Sequence, residues 1–256
     1  MPTRSLVVLF QDNDMLVIDK PAGLHTAPLR PGETGTLLGE VIASFPEVAG
    51  LPGVKPVEPG LVHRLDRETS GLVVVARSAE AFMLLRRAFM AGGARKTYLA
   101  ACAGGGQERS VGALLHIESR FAPYGPGRRK VRVVLPMEGK KGTARQATRD
   151  TYETDAEVIF RRAGRALLSA AIVRGFRHQV RAHLSFLGCP ILGDPLYGVP
   201  VPAELPPRLY LHAARLEMAH PRSGAPLVVK SPVPAEFKAA FPDYAFPDYN
   251  EKELYS

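Results

Sequence analysis

The sequence predicts a single α+β domain built on a mostly antiparallel sheet, and three observations carry that prediction. Strand-like apolar runs outnumber helical ones, and no shift in composition cuts the chain into independent halves. The third is size: 256 residues, 46% of them hydrophobic, can bury one sizeable core.

Leu6 to Phe10 and Leu16 to Asp19 read as short strands around the turn-forming Asp12-Asn13-Asp14, and Lys20-Pro21-Ala22-Gly23 ends the second. Thr36 to Phe45 has helical apolar spacing, and the Pro/Gly-rich stretch from Pro46 to Gly60 reads as a surface loop. The Val-rich run Leu72 to Ala76 is a buried strand. A helix follows over Ala79 to Met90, with Ser78 as its N-cap. Lys96 to Ala103, Arg165 to Val173 and Leu209 to Met218 are further strands. Arg177 to Leu187 is a helix that Gly188 and Pro190 terminate, and the Pro-rich segments Pro195 to Pro207 and Pro221 to Pro234 are connections.

A formal charge of +8 and a pI near 9.7 favour a polyanionic partner, because each Lys or Arg set against a phosphate releases counterions. The charge is uneven. Arg120 to Arg149 holds nine basic residues, among them Arg128, Arg129, Lys130, Lys140, Lys141 and Arg145, against one acid, Glu138, which marks a surface for gripping a nucleic-acid backbone. Two cysteines, Cys102 and Cys189, exclude a disulfide framework or a thiolate metal cluster and fit a reducing cytoplasm. The first apolar run is too short for a secretion signal, and no stretch has the length of a membrane span. His178 and His183 lack metal-ligand spacing, and Gly104-Gly105-Gly106 lacks the Lys-Ser/Thr of a phosphate loop, so neither a metal nor a nucleotide cofactor is expected. The tail from 241 to 256 is acidic and aromatic and carries FPDY twice. It reads as packing over an apolar groove or as a partner-binding segment.

Two runs concentrate the chemistry. In HRLDRETSG, His63 to Gly71, the carboxylate of Asp66 has Arg64 and Arg67 as neighbours and a buried strand immediately behind it. Cations favour the ionised form, suited to a nucleophile or base. A structural ion pair is the equal alternative. In RGFRHQVRAH, Arg174 to His183, an apolar stripe of Val180, Leu184 and Leu187 leaves Arg177, His178 and Arg181 on other faces, with Arg177 and Arg181 one helical turn apart. Arg181 then projects into a cleft, or the face is simply solvated.

HRLDRETSGLVVVAR resembles the signature of the RluA-like pseudouridine synthases, which isomerise uridine to pseudouridine in RNA. LVIDKPAGL (16–24), KTYLA (96–100), HQVRAHLSFLGCPILGDPLYG (178–198) and LHAARLEMAHPRSG (211–224) resemble further motifs of that family, in the family's order. The resemblance implies the pseudouridine synthase fold: α+β, with a mixed, largely antiparallel central sheet flanked by helices and loops and the active site in a central cleft. It implies that Asp66 is the catalytic aspartate, Tyr98 the active-site tyrosine and Arg181 the arginine that pairs with the aspartate. Arg64 would displace the target nucleotide and fill its gap. Arg67, Arg128, Arg129, Lys130, Arg177 and His178 complete the expected RNA-binding set.

Relatives usually read TGRTHQIR where this chain has RGFRHQVR, so Arg174, Phe176 and Arg177 depart from the pattern and bear on substrate choice. The small N-terminal RNA-binding domain of many relatives is not expected, and 1–256 reads as one catalytic domain. The implied protein is a cytoplasmic, monomeric, cofactor-independent enzyme acting on rRNA or tRNA, away from membranes. One rival is an RNA-binding or ribosome-assembly protein that kept the fold and lost catalysis. The other is a carboxylate-based glycoside hydrolase with Glu68 as second acid.

Overall fold

The computed structural model describes residues 6–104, 109–135, 146–248 and 255–256. They fall into two compact units, one drawn from Met1–Lys96, His212–Val233 and Pro247–Ser256, the other from Thr97–Leu211 and Pro234–Phe246. Strands and helices are numbered along the chain.

In the first unit β1 (Val8–Gln11) and β2 (Met15–Lys20) form an antiparallel hairpin. Asp12 closes its turn, Oδ1 accepting the N–H groups of Asp14 and Met15 at 2.8 Å each. β3 (Ser70–Ala76) lies antiparallel to β2 and is buried at every position, which is why it reads as an unbroken apolar run. β9 (Leu211–Ala219) joins β3 in parallel at Ser70↔His212 and Gly71↔Ala213, and β10 (Pro226–Lys230) runs antiparallel to β9. Gly71, at φ 109°, permits that parallel contact: a Cβ there would sit 2.2 Å from the Ala213 carbonyl oxygen. Helix α1 (Leu37–Ser44) starts at Thr36, whose hydroxyl accepts the Gly39 N–H at 3.1 Å. Helix α2 (Ala79–Ala91) starts at Ser78, which accepts the Ala81 N–H at 3.1 Å. Phe82, Leu85 and Phe89 of α2 pack with Val17, Val74 and Leu216 in the core of this unit.

The second unit orders its strands β4 (Ala94–Ala103), β8 (Arg165–Ile172), β7 (Tyr152–Arg162), β5 (Leu114–Tyr124) and β6 (Lys130–Val134). β8 with β7, β7 with β5, and β5 with β6 are antiparallel. Helix α3 (Gln179–Phe186) places Ala182 against Phe121 and Val131, and Phe176, Tyr152 and Tyr197 flank that cluster. The short helix α4 (Ala235–Ala240) buries Phe237. With β3 and β9 parallel and the hairpins antiparallel, the sheet structure is the mixed, largely antiparallel kind expected.

Several expectations change. β10 is a strand within a stretch expected to be a connection, β6 is a strand within the basic segment, and β5 and β7 are strands beyond those expected. The Pro46 to Gly60 stretch holds a 3-10 turn over Pro46–Gly50 and buries Val48 and Glu58. Arg177 is not helical: His178 takes a left-handed conformation, φ 57°, so α3 begins only at Gln179. From the tail, Phe241 and Tyr244 pack on Phe160, and Asp243 pairs with Arg162. Tyr255 meets Phe10, and Ser256 exchanges backbone hydrogen bonds with Val228 at 2.7 and 3.0 Å. Glu138, Lys140, Lys141, Arg145 and the Tyr249 end of the second FPDY lie outside the described residues, as do Gly105 and Gly106. Among the described residues no helix is long and apolar enough to cross a membrane.

Candidate active site

Asp66 sits half-buried in an irregular stretch of the first unit that leads into β3, and its backbone is clamped on both sides. Before it, the Thr26 hydroxyl donates to the Leu65 carbonyl at 2.7 Å and accepts the Leu65 N–H at 3.2 Å. After it, the Arg67 carbonyl accepts the Gly23 N–H at 2.9 Å and the Lys20 ammonium at 3.0 Å. The same ammonium, fully buried, donates to the carbonyls of Pro21 and Leu24 at 2.8 Å each. A buried cation is stable only with such partners, so Lys20 binds the DKPAG turn and the HRLD loop into one piece. The Thr69 N–H bonds the Asp66 carbonyl at 3.1 Å and closes a tight turn.

The neighbouring guanidinium groups diverge. Arg64 Nη1 bonds Glu58 Oε1 at 2.7 Å, whereas Arg67 Nε donates to the Gly23 carbonyl at 3.0 Å and lies 3.7 Å from Glu68. Glu68, the second acid of the hydrolase alternative, is thus beside Arg67 in the turn. His63 stacks on Phe89 with ring centroids 4.8 Å apart, and its Nε2 accepts the Val74 N–H at 3.1 Å. Burial, then the charges of Lys96 and Arg86, hold its pKa well below the usual imidazole value, so the ring is a neutral support for the loop. Lys96, on β4, is buried with Nζ 5.3 Å from the Phe89 ring, and burial lowers its pKa to about 8.

Tyr98 is buried on β4, and Arg181 projects from α3; both belong to the second unit. A buried polar row fixes α3 on the sheet. Gln179 accepts the Phe176 N–H at 2.9 Å and donates to the Glu153 carbonyl at 2.7 Å. His183 lies between the hydroxyls of Thr154 and Ser119, 2.8 Å from each. Arg181 then makes a two-pronged pair with Asp194, Nε to Oδ2 and Nη2 to Oδ1, both at 2.7 Å. Asp194 Oδ1 also accepts the N–H groups of Leu196 and Tyr197 at 2.8 and 3.1 Å. Burial alone would raise the Asp194 carboxyl, but the Arg181 hydrogen bonds and charge and those two N–H groups hold it below the usual range. The Tyr197 ring covers the guanidinium, 5.4 Å from centroid to Cζ.

The departing RGFR residues knit the basic surface together. Arg177 Nη2 donates to the Arg128 carbonyl at 2.8 Å and lies 3.4 Å from that of Lys130. Phe176 stacks on Phe121, rings 5.1 Å apart at 6°, and Arg174 pairs with Asp150 at 2.7 Å while its Cζ lies 5.5 Å from the Tyr152 ring centroid. His178 Nδ1 is 3.0 Å from the Tyr197 hydroxyl, which accepts the Val131 N–H at 2.6 Å. Arg128, Arg129, Lys130, Arg177 and His178 therefore gather around one hairpin turn between β5 and β6. Lys20, Thr26, Glu58 and Asp194 were not singled out from sequence. Lys20 and Asp194 do lie inside the LVIDKPAGL and GDPLYG motifs, at the end of an apolar strand and in an Asp-Pro turn.

The RNA pseudouridylate synthase family model matches residues 14–186. Ribosomal large subunit pseudouridine synthase D of Nitrosomonas europaea is 33% identical over 241 residues, 91% of this chain and 64% of that protein. The protein of the same name from Xanthomonas campestris is 34% identical over 246 residues, 91% of this chain and 67% of that protein. The chain thus spans about two thirds of the length of these relatives. Among solved structures, human RNA Pseudouridylate Synthase Domain Containing 4 superposes with a TM-score of 0.68 at 23% identity, covering 91% of each chain, which bears on the fold. With a family match over most of its length and relatives a third identical across nine tenths of it, this chain belongs to the RNA pseudouridylate synthase family.

Proposed function

We propose that this chain is an RNA pseudouridine synthase acting on large-subunit rRNA, with Asp66 as its nucleophile or base. The observation that carries the reading is the mounting of Asp66. Clamps from Thr26, Lys20 and Gly23 hold the residues on either side of it, the rigidity a positioned catalytic group needs. Family membership supports the chemistry, and the names of the bacterial relatives support the substrate.

The reaction breaks the N1 to C1′ bond of uridine, turns the retained uracil, joins C5 to C1′, and moves one proton from C5 to N1. Reactant and product are isomers, so the residues need supply only positioning, charge and proton transfer. Asp66 attacks C1′ or assists removal of a sugar proton. Arg181, held by Asp194, takes the part of the arginine the resemblance assigns to the catalytic aspartate, and Tyr98 stacks on the freed base or helps take the C5 proton. A stacked base is out of reach, so the uridine is flipped and Arg64 fills its place. Arg67, Arg128, Arg129, Lys130, Arg177 and His178 grip the RNA backbone. In this reading the whole chain is one catalytic domain, monomeric and cytoplasmic.

Mapping pseudouridines in total RNA from cells with and without this protein tests the reading. Loss of one or more sites from large-subunit rRNA is expected. Loss confined to tRNA would overturn the substrate, and an unchanged map would overturn the activity.

A further inference from the structure

The stretch before HRLD is built around one carboxylate. Glu58 is 3% exposed, although it lies in a Pro/Gly-rich segment. Its N–H bonds the Lys55 carbonyl at 2.9 Å, and its own carbonyl accepts the Leu61 N–H at 3.2 Å. Gly60 is held by Pro52 and Ala76 at 2.9 and 2.8 Å. Gly53 comes so close that a Cβ there would lie 2.4 Å from the Glu58 carbonyl oxygen. Its backbone leaves the Glu58 side chain little freedom of place.

The ion pair this carboxylate makes is asymmetric. The Glu58 side chain is 4% exposed, whereas that of its partner Arg64 is 46% exposed, with 2.7 Å between Oε1 and Nη1. Lys55 stands farther off, at 3.7 Å, on a side chain 58% exposed. A surface pair between two mobile side chains would orient neither. Here one end is held in place and desolvated, and releasing Arg64 would leave a buried charge facing, among the described residues, only that distant ammonium, so the guanidinium is tethered while much of it still faces solvent.

We propose that Glu58 is a positioning residue for Arg64, holding its guanidinium ready to enter the gap left by the flipped uridine. This rests on the flipping role read for Arg64. A long, flexible arginine loses conformational freedom on insertion, and a tether that removes that freedom beforehand speeds the step without adding an RNA contact. Glu58 thus acts on turnover and leaves RNA affinity alone.

The test is tritium release from a [5-³H]uridine-labelled transcript of large-subunit rRNA, with kcat and KM measured separately. Glu58→Met removes the tether without leaving a buried unpaired group. It is expected to lower kcat about tenfold with KM within about twofold, and to add no further loss in an Arg64→Ala background. A kcat within about twofold of the parent, or the same fold loss in both backgrounds, would overturn the proposal. Parent-like turnover by Arg64→Ala alone would overturn the flipping role on which it rests. Should Glu58→Met melt without cooperativity, Glu58→Gln is read against the same outcomes.

Discussion

Lys20→Met would separate the two turns that mount Asp66. The methionine matches lysine in length but withdraws three hydrogen bonds, to the carbonyls of Pro21 and Leu24 at 2.8 Å and of Arg67 at 3.0 Å. Arg67 keeps the Gly23 N–H, so two part-buried acceptors lose this donor, at about 1–3 kcal/mol each. Removing the cost of burying an ammonium offsets part of this, leaving a net loss of about 2–4 kcal/mol. At about 2–4 °C per kcal/mol for a chain of this size, the melting temperature falls by about 5–15 °C. Leaving the Arg67 carbonyl next to Asp66 with one hydrogen bond in place of two also lowers kcat for tritium release by about tenfold at a temperature where the variant remains folded. A variant that melts within about 1 °C of the parent and turns over normally would refute the clamp.

Reversing the charges of Arg128, Arg129 and Lys130 is expected to weaken RNA binding and to reduce the slope of log affinity against log salt by about two, at roughly 0.7 for each phosphate no longer neutralised. Filter binding over a salt series measures it, and an unchanged slope would place the hairpin off the RNA path. Acid stability has its own signature. Burial holds the His183 pKa down to about 4 from 6.5, so the ring's contribution is complete above pH 6.5 and is lost as pH falls towards 4, where the unfolded ring is protonated and the folded one is not. That amounts to about 3 kcal/mol across the window, read from urea midpoints against pH. His183→Gln should flatten the profile there, and an identical pH slope in that variant would contradict the assignment.

The parts legible in the sequence are those whose environment is uniform or local. β3 is buried on both faces and is therefore apolar from Leu72 to Ala76, and α2 announces itself by Ser78 and its apolar spacing. β5 and β7 went unread because one face of each is exposed and charged. His116 and Glu118 alternate with Leu115, Ile117 and Ser119, and Glu153, Asp155 and Glu157 with Thr154, Ala156 and Val158, so each strand shows only half an apolar pattern, with residues of low β-propensity between. Asp66, Tyr98 and Arg181 were marked by motif. Lys20 escaped because its cage includes a carbonyl 47 residues away, and Asp194 because its partner Arg181 belongs to a helix 13 residues upstream. Arg177 was placed one turn from Arg181, but the left-handed His178 puts it outside the helix, beside the basic hairpin instead.

The central claim is that Asp66 performs the isomerisation on a prebuilt mount. Asp66→Asn keeps the size and the turn but removes the charge. Tritium release and filter binding on the same labelled rRNA transcript, together with a melting curve, test it most directly. Loss of all measurable release, with the melting temperature and RNA affinity of the parent retained, is the predicted result. Parent-like release from the Asp66→Asn protein would contradict it.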